Sequence, residues 1–314
     1  MRERLLFWAM AALAGLLGAP LSAGLPTKEA GLVSLADAFP KFYDRTAGLP
    51  ETERVARFRT EFHALLPGFY ASRSRTDADY DKAIAKSLTD FPTIRVKYEA
   101  VEKSFPKAFV AGQKSFRKTF PDYRLDVPVY LLHSLGEMDG GTRELDGKTV
   151  GVFGADVIAR IHTPVTMKPF LDHEMFHLYH HRFFPGCDPL WCNVWEEGMA
   201  VYVASKLNPG ATDEQLPLNQ PRPIRPEVEP RLREAMCSLR AKFDSTSEED
   251  YAPFFFGRAN KGPFPPRYGY LLGYLLVQKI GATMTLDRLA KLPPDKVKTA
   301  LSAAIDSYGS CSQS

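Results

Sequence analysis

The run His173-Glu174-Met175-Phe176-His177 constrains this chain more than any other segment. Residues four apart share a face on an α-helix, so two imidazoles that meet at one ion require the run to be helical. Phe170, Leu171 and Phe176 are apolar, as expected of a helix buried against the rest of the fold. Buried imidazoles with no metal would need other hydrogen-bond partners. His173 and His177 are therefore the expected ligands of one ion. Zinc (Zn2+) suits the pattern, since it takes three protein ligands and leaves a fourth position for water or substrate. Glu174 adjoins the first ligand, where its carboxylate can take a proton from a zinc-activated water.

Such a site needs a third donor. A histidine six residues after His177, with a glycine between, is one solution, but those positions hold Phe183 and His180. A glutamate from a following helix is the other, and Trp195-Glu196-Glu197-Gly198-Met199-Ala200-Val201-Tyr202 supplies it. Gly198 and Ala200 are small enough to let that helix approach the first closely. His180 and His181 continue the metal helix and are possible donors, though surrounding or surface positions suit them better. Ligating imidazoles usually donate their other nitrogen to a carboxylate or carbonyl, and Asp156, Asp172 and Asp188 are the candidates.

Of the 314 residues, 40 are Lys or Arg and 37 are Asp or Glu, a net charge of +3. So even a balance gives no ground for a nucleic-acid or polybasic membrane partner. Residues 1–23 read as a secretory signal: arginines within Met1–Arg4, an apolar run from Leu5 to Gly18, then Ala19-Pro20-Leu21-Ser22-Ala23 before cleavage. The chain is thus expected to be secreted or periplasmic, without a stable membrane partner unless that segment is retained. Export makes disulfides possible. Four cysteines allow three connectivities; Cys187 and Cys192 are close enough for a small staple, with free thiols or a metal site as alternatives, and if the staple forms Cys237 and Cys311 are the remaining pair.

Residues 24–124 read as a helical region. Val55, Phe58, Phe62, Leu65 and Leu66 form an amphipathic stripe over Glu51 to Leu66. Helical pattern continues over Asp77 to Leu88 and Thr93 to Phe120, with Pro67 and Pro92 separating segments and Pro106 breaking the last. From residue 125 the character changes. Val127 to Leu132 and Thr149 to Phe153 look like strands joined by a Gly- and Asp-rich turn, Gly136 to Gly147. Helices are expected near Pro169 to Phe184, Val194 to Leu207, Pro230 to Phe243, Pro266 to Ile280 and Pro294 to Tyr308, with a proline-rich loop over Asn208 to Glu229. The expected class is α+β, mostly helical, with a small mixed sheet beside the metal-binding helix pair.

With these motifs in place, Val127 to Ile280, within an expected catalytic region of residues 125–314, resembles in a few short motifs the gluzincin zinc metallopeptidases, the clan of thermolysin-like and aminopeptidase N-like enzymes. The aminopeptidase-like branch follows H-E-x-x-H, some eighteen residues later, with N-E-G-x-A-x-Y. Here nineteen residues separate His177 from Glu197, and Glu196-Glu197-Gly198-Met199-Ala200-Val201-Tyr202 stands in the matching place. The resemblance implies Glu197 as third ligand, with Glu196 where asparagine is usual. It also implies an oxyanion-stabilising tyrosine in a later Y-x-x-G, matched by Tyr270 and Gly273, with Tyr268 and Tyr274 as competitors and Leu272 in place of the usual lysine. The G-x-M-E-N segment that binds a substrate amino terminus is absent, so a typical aminopeptidase is not expected. The implied activity is hydrolysis of a peptide or protein substrate. The alternatives are a zinc-retaining peptide-binding or structural protein without turnover, and a zinc-free helical interaction module.

Overall fold

A computed structural model describes residues 28–29, 31–257 and 262–311; the expected signal segment, 1–23, lies outside the described residues. Helices α1 (Ala38–Arg45) and α2 (Glu51–Leu65) lead into α3 (Asp77–Thr119), a single helix of 43 residues. The sequence suggested three pieces here, and neither Pro92 nor Pro106 divides them. The apolar stripe explains why. Tyr80, Ile84, Phe91, Ile94, Tyr98, Phe105, Phe109 and Phe116 keep helical spacing straight through both prolines, and all are buried. Burying each such side chain contributes about 1.5–3 kcal/mol, whereas an interior proline costs about 3 kcal/mol. Eight against two decides for continuity. Pro92 also faces solvent, where water can satisfy the carbonyl it orphans. At the helix start the Thr76 hydroxyl accepts the Asp79 N–H at 3.1 Å.

The sheet has five strands in the order β1-β2-β3-β5-β4: β1 (Lys28–Glu29), β2 (Leu32–Ser34), β3 (Val129–Leu132), β4 (Gly140–Leu145) and β5 (Lys148–Gly154). Strands β2, β3 and β5 are parallel, and β4 runs antiparallel to β5 along one edge. Three strands, β1, β2 and β4, escaped the sequence reading. β2 has only three residues, and its pairing with β3 puts the helical N-terminal region and the rest of the chain into one sheet. β4 lies inside the segment read as a turn. The true turn is Asp146-Gly147, both at positive φ, a two-residue hairpin connection. Gly140-Gly141-Thr142-Arg143-Glu144 has no apolar alternation to announce a strand.

The remaining helices are α4 (Ala155–Ile161), α5 (Pro164–His180), α6 (Leu190–Leu207), α7 (Arg225–Val228), α8 (Leu232–Lys242), α9 (Glu248–Phe255), α10 (Tyr268–Ile280), α11 (Leu286–Ala290) and α12 (Pro294–Asp306). The class is α+β, mostly helical with a small mixed sheet, as expected. Helix α3 joins the layers. Its Phe105 and Phe109 rings lie 4.9 and 5.9 Å from that of Phe153 on β5, and its Phe116 ring lies 5.9 Å from that of Tyr179 on α5. Disulfides Cys187–Cys192 and Cys237–Cys311 form as expected. The first closes the connection between α5 and α6. Among the described residues no helix is long and apolar enough to cross a membrane.

Candidate metal centre

Helix α5 begins five residues earlier than expected, with Pro164 at its first position and the Thr166 hydroxyl accepting the Thr163 N–H at 2.9 Å. Pro169 therefore sits inside the helix, where it cannot donate to the carbonyl of Val165. The Gln215 amide donates to that carbonyl instead, at 3.1 Å. The helix thus stays regular up to His173, Glu174 and His177. Glu197 arrives on α6.

The three expected ligand atoms converge. His173 Nε2 and His177 Nε2 are 3.1 Å apart, and Glu197 Oε2 lies 3.3 Å from the first and 3.5 Å from the second. Ligand atoms about 2.1 Å from a tetrahedral ion lie about 3.4 Å from one another, so the three distances match the edges of one coordination tetrahedron. His173 Nδ1 is buried and lacks a hydrogen-bond partner, and Glu197 Oε2 is buried with the two imidazole nitrogens as its close polar neighbours, so an ion among the three would satisfy the carboxylate. This group could hold a metal ion. Glu174 Oε1 is 4.0 Å from His173 Nε2.

Electrostatics tie the group together. Burial would raise the pKa of Glu197, but the charge of His177 and hydrogen bonds from both imidazoles hold it well below the carboxylate range. Burial pulls His177 down, yet the charge of Glu197 and its hydrogen bond lift it to about 9. Burial dominates at His173 and lowers it. Glu174, desolvated and near the carboxylates of Asp139 and Glu197, is pushed up to about 8. A divalent cation among these groups would displace the imidazole proton and favour the carboxylates.

A close helix crossing places Glu197. A Cβ on Gly198 would come within 2.4 Å of the backbone of Gly273, and one on Gly273 within 2.4 Å of the Val194 carbonyl. Gly198 therefore admits α10, not α5 as the sequence suggested. The glycines of the E-G and Y-x-x-G motifs are two halves of one contact, and it brings Tyr270, a turn before Gly273, to the cavity that Glu197 also lines. That cavity has a volume of about 340 Å³. Of the three candidate tyrosines only Tyr270 lines it. Tyr268 is buried between Phe254 and Phe264 with its hydroxyl 3.0 Å from Ser238 Oγ, and Tyr274 packs near Tyr202 and Arg225. Burial and the charge of Glu197 push the Tyr270 phenol far above its ordinary pKa, so it remains a proton donor.

Other expectations fare differently. Glu196 also lines the cavity, raised to about 7 by burial, but its carboxylate is outside the three-donor group. The His180 ring stacks on Phe176 and Phe184, and His181 is exposed; neither joins the group. None of the three aspartates bonds a ligating imidazole. Asp156 accepts from Ser134 and Gly136, Asp172 from Lys168 and Asn208, and Asp188 is exposed.

The sequence reading missed Gly140, Asp139, His162 and Arg267, all at the cavity. A Cβ on Gly140 would come within 2.7 Å of the Glu174 side chain, so only glycine lets the edge strand pass so near. Asp139 pairs with His162 at 3.0 Å, and that contact keeps its pKa low although burial opposes it. Arg267 holds φ +67° just before α10. No spacing rule connects these four residues; they meet only through the fold. No family model, curated protein or solved structure compared with this chain matches it.

Proposed function

We propose that this chain is an exported, zinc-dependent metallopeptidase of gluzincin type, outside the typical aminopeptidases. The supporting observation is the His173, His177 and Glu197 donor triangle, with edges of 3.1, 3.3 and 3.5 Å, beside the buried Glu174 carboxyl. Zinc has the N and O donor preference for this set, and when bound it supplies Lewis acidity that polarises a carbonyl and acidifies water. The chain's own groups do the rest. Glu174 takes a proton from the attacking water and passes it to the departing nitrogen; the nearby cation would favour its ionised form against the burial that raises its pKa. Tyr270 donates its phenolic proton in a hydrogen bond to the oxygen on which negative charge develops. The free edge of β4, which passes Glu174 at Gly140, can pair with an extended peptide through main-chain bonds. The two disulfides support export to an oxidising compartment.

Elemental analysis of protein purified without added metal, together with Glu174→Gln, tests the reading. We expect one zinc per chain in both proteins and a drop in peptide cleavage of about 10²–10⁴-fold in the variant. Undiminished cleavage by Glu174→Gln would refute the mechanism, and zinc-loaded wild type that binds a broad peptide library without cutting it would favour a binding protein.

A further inference from the structure

We propose that Arg267 recognises the terminal carboxylate of a short peptide, so that the cavity takes its substrate by the C-terminal end. This rests on the peptidase reading and extends it to a substrate class.

Arg267 is the cavity's unmatched cation. Among the described residues no carboxylate forms an ion pair with it; its guanidinium stands 4.4 Å above the ring of Tyr270 and hydrogen-bonds that side chain. The other arginine of the cavity, Arg143, is engaged by Glu137 at 3.0 Å. A guanidinium is charged at every relevant pH, and its planar fork fits a carboxylate through two parallel bonds. Among the described residues the Asp139 and Glu197 carboxylates act on it only through space and form no close pair with it, so its fork stays open to an entering carboxylate.

The backbone points the same way. At φ +67° and ψ 15°, Arg267 occupies the left-handed region, a strained conformation for a non-glycine residue. Glycine or asparagine would sit there with less strain. From this turn the guanidinium lines the cavity, over the tyrosine assigned to the oxyanion. The volume of about 340 Å³ lies near the small end of ligand pockets, so it suits a chain end better than the middle of a long polypeptide. Of the cavity's histidines, His162 is committed to Asp139, His173 and His177 to the metal group, and His180 to its stack with Phe176 and Phe184, while His181 is exposed.

Binding, rather than turnover, is the readout. Zinc-loaded Glu174→Gln is titrated with a mixed-sequence acetyl-tripeptide library, once as free acids and once as C-terminal amides. The acetyl group silences the amino terminus, so only the C-terminal end differs. We expect the free acids to bind at least tenfold more tightly. Adding Arg267→Asn should abolish the difference, and Arg267→Lys should restore part of it. Asparagine tolerates the left-handed backbone, so loss of the cation is separated from loss of the fold, with thermal unfolding as the check. The proposal is overturned if amides bind as well as acids, if Arg267→Asn keeps the preference, or if the acids fail to bind zinc-loaded protein. Zinc content measured on the same samples identifies failure of the metal reading itself, because a zinc-free protein that still prefers acids through Arg267 leaves the carboxylate site standing.

Discussion

Glu174 and Tyr270 reach one cavity from two helices, and burial raises the pKa of both. The Tyr270 phenol stays protonated in its surroundings, so its O–H is available to donate. Tyr270→Phe should lower turnover by about 10²–10³-fold, the usual effect of losing one oxyanion donor, with zinc content unchanged. Tyr268→Phe, two residues away, is the control: it removes the bond to Ser238, should cost about 1 kcal/mol of stability, and should leave steady-state turnover per folded molecule intact. Equal kinetic losses in the two variants would place the oxyanion elsewhere. At this scale the sequence was legible where a residue belongs to a periodic motif. His173, Glu174 and His177 have fixed helical spacing and Glu197 belongs to a short motif on the next helix, whereas Asp139, His162 and Arg267 come from a loop, a helix end and a strained turn with no shared period.

Among the elements, the crossing of α6 and α10 carries the site. Backbone meets backbone at Gly198 and Gly273, with no flexible side chain to move aside. Gly198→Ala should therefore destabilise the protein by about 1–3 kcal/mol, the range for overpacking, and weaken zinc binding because Glu197 is displaced with its helix. Urea unfolding and zinc titration measure the two effects; a variant with wild-type stability and affinity would show that the contact is not needed. Helix α3 makes the converse case, since proline rules read along the chain divide it and its buried stripe holds it together. Helix α5 shows a third outcome: the fold tolerates Pro169 because Gln215, a residue 46 positions away, takes over the carbonyl the proline leaves behind.

Across the molecule, the core sets a pH dependence remote from the metal group. His133 is fully buried, stacks on Phe39 with ring centroids 3.5 Å apart, and has no hydrogen bond at either ring nitrogen. Burial lowers its pKa to about 4, and the Asp156 carboxylate 3.9 Å away only partly opposes this. Unfolded, the imidazole would titrate near 6.5. Above that pH both states are neutral there and the folded state keeps its full stability. As pH falls from about 6.5 to about 4 the unfolded state gains the proton first, so stability should decline by on the order of 3 kcal/mol from this residue. Denaturant midpoints at pH 7, 5.5 and 4.5 measure the decline, and His133→Leu should flatten it; an unchanged slope in that variant would assign the effect to other groups.

The order of residues alone determined the helix that carries two imidazoles and a carboxyl on neighbouring faces, the glutamate helix after it and the mostly helical class. Those features depend on spacing within one segment, which a chain displays in one dimension; the pairing of Cys237 with Cys311, 74 positions apart, needed the fold. The tertiary structure decided which tyrosine faces the cavity, that Gly198 answers Gly273, that β4 borders Glu174, and that Arg267 makes no close ion pair among the described residues. Such facts depend on contacts between segments far apart in sequence. They are fixed by where packing brings backbones together, and no local period records that.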